Sequence, residues 1–81
     1  MRKEEVCRKI AQELTTKFDV PDDMVIGEDS DLATDLWLDS LDIVELAYSL
    51  QKEYQVVLSD YELCRVNTVG ELADLIVNSI N

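Results

Sequence analysis

No histidine occurs anywhere in the 81-residue sequence. That absence removes Ser-His and Cys-His nucleophilic catalysis and the common His-bearing zinc sites together. Glycine appears twice and proline once, too few for a flexible linker between two cores, so residues 1–81 are expected to form one domain. A domain this small buries only about 60% of the surface its unfolded chain exposes, and a deep catalytic cleft would consume most of its core. The two cysteines, Cys7 and Cys64, are too few to staple a secreted mini-protein and lack paired C-x-x-C spacing, which points to a reducing compartment. Both are expected to serve as small buried apolar thiols. No apolar run approaches the ~20 residues of a membrane span, and Met1-Arg2-Lys3-Glu4-Glu5 leads into no signal-peptide core. The expectation is a cytoplasmic protein without membrane insertion.

Positive charge is scarce as well. Seven cations face 18 acids for a net −11, and between Phe18 and Cys64 thirteen acids face one cation, Lys52, for −12. Such a field repels nucleic acid and anionic membranes and steers basic protein patches toward the chain. It also opposes self-association, so a monomer is expected. The alternative is a solvated face that only maintains solubility.

What is present is helical periodicity. From Lys3 to about Phe18, Val6, Ile10, Leu14 and Phe18 recur every fourth residue with Cys7 and Ala11 beside them, predicting an amphipathic helix that ends ahead of Pro21. Periodicity then lapses from Asp19 to Asp39, where Met24, Ile26, Leu32 and Leu36 are scattered anchors in a long ordered loop. Loops of this length are usually functional, and this one delivers the chain to Asp39-Ser40. A second helix, about Ser40 to Tyr54, places Ile43, Leu46, Ala47, Leu50 and Tyr54 on one stripe for a core. Leu41, Val44 and Tyr48 form another stripe roughly 130° away, bordered by Asp42 and Glu45. A small bundle buries one stripe, so the other reads as an exposed docking row, unless the helix is buried on both sides. Ser59 with Glu62, and Thr68 with Glu71, have capping-box spacing. They open a short helix to about Arg65 and a last helix through Val69, Leu72, Ala73, Ile76 and Ile80. The fold class is all-α: a small four-helix bundle, three long helices and one short, with a long loop between the first two.

Catalytic and metal motifs are not convincing. Asp29-Ser30-Asp31-Leu32-Ala33-Thr34 opens like a calcium loop, but Ala33 takes an oxygen-ligand position, Thr34 the glycine position and Ser40 that of the bidentate Glu. No metal site and no catalytic residue are assigned, and the chain is expected not to be an enzyme. The most specific signal is Asp35-Leu36-Trp37-Leu38-Asp39-Ser40-Leu41-Asp42, where the loop meets the second helix. With the amphipathic first helix, the long loop and the Thr-Val-Gly-Glu-Leu start of the last helix, it resembles the acyl carrier protein family over essentially the whole chain.

That resemblance implies that Ser40 carries 4′-phosphopantetheine, transferred from coenzyme A by a phosphopantetheinyl transferase, with Asp39 helping to place the transferase metal. The terminal thiol of the arm, rather than Cys7 or Cys64, would hold acyl groups as thioesters for fatty-acid or related lipid biosynthesis, and the bundle interior would shelter them. Partners would be acyl-transferring, condensing or acyl-modifying enzymes with basic docking patches, recognising Asp39, Leu41, Asp42, Val44, Glu45 and Tyr48, joined by Val66. A serine at a helix start is also an ordinary N-cap, and Asp39 an ordinary helix-terminal acid. Trp37 and Leu38 depart from the family, which often has glycine and alanine there. Trp37 covers the core entrance, flanks the arm, or packs the loop onto the bundle. Gln51 and Lys52 stand where glutamates are common in the family, so partner choice is expected to differ from that of a housekeeping carrier. A specialised carrier of aminoacyl or polyketide-type units and an unmodified adaptor are the alternatives.

Overall fold

A computed structural model describes residues 3–80. Its helices are α1 (Lys3–Lys17), α2 (Ser40–Tyr54), α3 (Asp60–Cys64) and α4 (Val69–Ile80). In α1 the four-residue spacing of Val6, Ile10 and Leu14 stacks three side chains on one face, and all three are fully buried. Leu46, Ala47 and Leu50 of α2 and Leu72, Ala73 and Ile76 of α4 meet them in the same core. Three long helices of the expected extent and one short one make the bundle. Phe18 lies just past α1, half-buried against the core with Ile43 and Tyr54.

Helix ends are set by local chemistry. The Ser59 hydroxyl accepts from the Glu62 amide at 3.1 Å while the Glu62 carboxylate accepts from the Ser59 amide at 3.3 Å, a reciprocal cap that satisfies two otherwise orphaned donors. Thr68 and Glu71 repeat it at the start of α4, at 3.1 and 3.0 Å. The C-terminus of α2 turns off through Gln55 in a left-handed conformation, φ 55°.

The connection from α1 to α2 carries no helix, yet it is held at both edges. Leu32 and Leu36 are inserted into the core. The Leu32 amide donates to the Asn67 carbonyl at 2.8 Å, Val69 to Ser30 at 3.1 Å and Gly70 to Glu28 at 2.9 Å, so the loop is laced to the turn between α3 and α4. A Cβ on Gly70 would sit 3.0 Å from the Glu28 carbonyl oxygen, which explains glycine at that close approach. Asp31 turns the loop by accepting from the Ala33 and Thr34 amides, both at 2.9 Å, and these bonds hold its carboxyl below the usual carboxylate range. Lys3 bridges Glu28 at 2.8 Å and Asp74 at 3.1 Å, joining α1, loop and α4.

Candidate functional site

The loop reaches α2 through a tight reversal. Leu36 and Leu38 are both buried, and Trp37 between them adopts a left-handed backbone, φ 59°. Two neighbours driven into the core leave the middle side chain outside, and Trp37 is 68% exposed. The expectation that Trp37 packs the loop onto the bundle is therefore corrected. The left-handed conformation also gives a physical reason for glycine at this position, because a Cβ is disfavoured there.

Asp39 is extended, at φ −92° and ψ 179°, and caps α2. The Asp42 amide donates to Asp39 Oδ1 at 2.8 Å and the Asp39 amide donates to Asp42 Oδ2 at 3.2 Å. This corrects the reading of Ser40 as the N-cap: Ser40 is the first helical residue, one position on. Both residue types make good caps, and the extended backbone at Asp39 decides between them. Ser40 is exposed, and among the described residues its hydroxyl makes no hydrogen bond. The neighbouring free N–H groups and the positive end of the helix favour an anion attached there.

Along α2, Leu41, Val44 and Tyr48 are 65%, 49% and 62% exposed and form an apolar crest. At 100° per residue, Ser40, Ile43 and Val44 fall on one side of the Leu41–Tyr48 line, and Asp42 and Glu45 fall on the other. A recess lies on each side. The first, about 690 Å³, is bounded by Ser40, Leu38, Ile43, Val44, Leu63 and Val66. The second, about 400 Å³, is bounded by Lys17, Phe18, Asp19, Trp37, Asp42 and Glu45. Expected site residues are thus divided: Ser40, Asp39 and Val44 border the apolar recess, and half-buried Val66 lies in its wall away from the crest. Asp42 and Glu45 border the polar one.

Cys64 is exposed and its residue lines the apolar recess, correcting the expectation of a buried thiol. Helix α3 has little more than one turn and turns Leu63 inward, so the next residue faces out. Cys7 is half-buried, and burial pushes its thiol up from the ordinary cysteine value. Glu13, which sequence reasoning passed over, is the buried carboxylate. Burial alone would raise its carboxyl, but the Ser49 hydroxyl and the Lys17 ammonium, the latter at 3.1 Å, hold it below the usual range. The sequence signal was its position beside the Ile10–Leu14 stripe.

A helical bundle that presents an uncommitted serine at a helix start, beside an apolar recess and an apolar crest flanked by acids, defines a carrier domain. Residues 5–76 match the family described as Phosphopantetheine attachment site. The acyl carrier protein of Cyanidium caldarium is 32% identical over 79 residues, covering 98% of this chain and 91% of that protein. That of Buchnera aphidicola is 37% identical over 75 residues, covering 93% and 89%. The solved structure of acyl carrier protein from Enterococcus faecalis superposes with a TM-score of 0.77 at 30% identity, covering 98% and 99%. The chain belongs to the acyl carrier protein family, whose prosthetic group is 4′-phosphopantetheine. No helix among the described residues is long and apolar enough to cross a membrane.

Proposed function

We propose that the chain is a carrier of acyl intermediates for fatty-acid or related lipid biosynthesis, with 4′-phosphopantetheine on Ser40 and with enzymes docking along the crest of α2. The observation that carries this reading is the state of Ser40: exposed, at the first turn of α2, on the rim of the apolar recess, with a hydroxyl that makes no hydrogen bond among the described residues. When attached, the group supplies a thiol that holds acyl chains as thioesters on a flexible tether. Tethering raises effective concentration at each partner without tight binding.

The chain's own residues have three tasks in this reading. Asp39 fixes the start of α2 through Oδ1, and among the described residues its Oδ2 makes no hydrogen bond, which supports a role in placing the transferase metal. Leu41, Val44 and Tyr48 give partners an apolar contact, and Asp39, Asp42 and Glu45 supply the charge that steers them. Encounters are fast and transient. Leu38, Ile43, Leu63 and Val66 offer apolar walls near Ser40. The chain itself catalyses nothing: it is the substrate of a phosphopantetheinyl transferase and of acyl-handling enzymes, and its charge opposes nucleic acid and self-association. We also read residues 1–81 as one domain in the cytoplasm; a radius of gyration of 11.3 Å fits the ~12 Å of a single domain this long.

The test is intact-protein mass after incubation with coenzyme A and a phosphopantetheinyl transferase, comparing wild type with Ser40→Ala. One added arm on wild type alone supports the reading. No addition under conditions that modify another carrier overturns it in favour of an adaptor.

A further inference from the structure

The polar recess holds an exposed tryptophan that the carrier reading leaves without a task. Three aromatic side chains stand well out of the bundle: Trp37, Tyr48 and Tyr61, at 68%, 62% and 70% exposure. Two already hold a cation of their own chain. Lys52 Nζ lies 5.3 Å from the Tyr48 ring centre. The Arg65 guanidinium lies 5.7 Å from that of Tyr61 and donates to its hydroxyl at 2.9 Å. Trp37 has a stronger cation-attracting face than either tyrosine, and among the described residues no cation stacks on it.

Its surroundings select the same ligand chemistry. Trp37 shares its recess with Asp19, Asp42 and Glu45, and none of these carboxylates makes an ion pair among the described residues. The one cation bounding the recess, Lys17, is engaged with Glu13 and Ser49, both at 3.1 Å. The recess adjoins the crest through Asp42 and Glu45, so a protein seated on Leu41 and Tyr48 passes over it. Nearby, between Phe18 and Cys64, only Lys52 offsets thirteen acids.

We propose that this recess receives an arginine side chain of the docking enzyme, its guanidinium stacked on Trp37 and paired with Glu45 and its neighbours. Arginine suits the place better than lysine because a planar guanidinium can lie on an indole and meet a carboxylate with the same fork. The left-handed backbone at Trp37 keeps the ring outside before any partner arrives, so no rearrangement is needed. Trp37 then acts as a specificity residue: it selects enzymes with an arginine beside their apolar contact. This inference rests on the carrier reading for the identity of the partner.

Trp37 is the single tryptophan, so its fluorescence reports this recess alone. The intact chain is titrated with a tryptophan-free peptide carrying arginines around a leucine, and with its lysine and citrulline counterparts. Saturable quenching by the arginine peptide is expected, about threefold weaker with lysine and at least about tenfold weaker with citrulline. In Glu45→Gln, which keeps Trp37, the arginine peptide should bind about threefold more weakly. Equal responses to the arginine and citrulline peptides, or an unchanged response in Glu45→Gln, overturn the proposal. Loading of Ser40 is scored separately by mass. A chain that loads but does not discriminate refutes the arginine site alone, and one that discriminates without loading refutes the carrier reading alone.

Discussion

Ser40 and Trp37 stand three residues apart, yet the recesses they border differ in how they were made. The apolar recess is walled by side chains that also belong to the core or its margin, Leu38, Ile43, Leu63 and Val66. The polar recess is walled by the end of α1, the reversal at Trp37 and the acidic flank of α2. A change in the first is therefore a change in packing, whereas a change in the second is mostly a change in charge and surface. A helix buried on one face is thus flanked by two hollows of different chemistry, one apolar beside Ser40 and one acidic beside Trp37.

That difference can be broken most strongly from the apolar side. Leu63→Ala removes a buried side chain from the recess wall and should cost about 2–3 kcal/mol, read from the urea midpoint at constant slope. Glu13→Gln, which releases the Lys17 clamp at the edge of the polar recess, should cost about 1 kcal/mol at pH 7. Because the folded carboxyl of Glu13 lies below its unfolded value, its contribution is complete above the ordinary carboxylate range and is lost as pH falls through the folded value. The gap between the two proteins should close in urea titrations carried into acid. Asp39→Ala should cost about 1 kcal/mol through loss of the cap, while Ser40→Ala changes stability by less than about 0.5 kcal/mol; equal losses would mean that Ser40 shares the capping. Trp37→Gly should leave stability unchanged or raise it by about 0.5 kcal/mol, since relief of the left-handed backbone opposes a small loss of contact. A marked fall in the melting temperature, followed by circular dichroism, would show that the indole holds the loop after all.

The helices were legible because their periodicity is a local property of the chain. Ser40 and Tyr54 bound α2 as the pattern of its core stripe indicates, and both capping boxes downstream, Ser59–Glu62 and Thr68–Glu71, form as their spacing implies. The exposure of Leu41, Val44 and Tyr48 was equally readable, since one helix in a small bundle cannot bury two faces. The failures are of another kind. Asp39 and Ser40 are both competent caps, so composition does not say which of the two is extended. Cys64 has apolar neighbours in sequence, but a helix of little more than one turn buries only one of them. Trp37 by type could pack the loop onto the bundle, and only the backbone reversal between Leu36 and Leu38 turns it out. The amides of Leu32, Val69 and Gly70 lace two segments far apart in the chain, and backbone bonds of that kind leave no mark on side-chain pattern. The two recesses lie on either side of the α2 crest, where the Leu36–Leu38 reversal and α3 are brought against α2, a tertiary placement beyond reach of the sequence.

The hydroxyl of Ser40 has no job in the architecture. Asp39 and Asp42 tie off the start of the helix without it, so the scaffold is indifferent to whether that oxygen is free, esterified or deleted. Folding therefore does not depend on the state of that oxygen. A group removed from this oxygen leaves behind a chain that needs no refolding before it is used again.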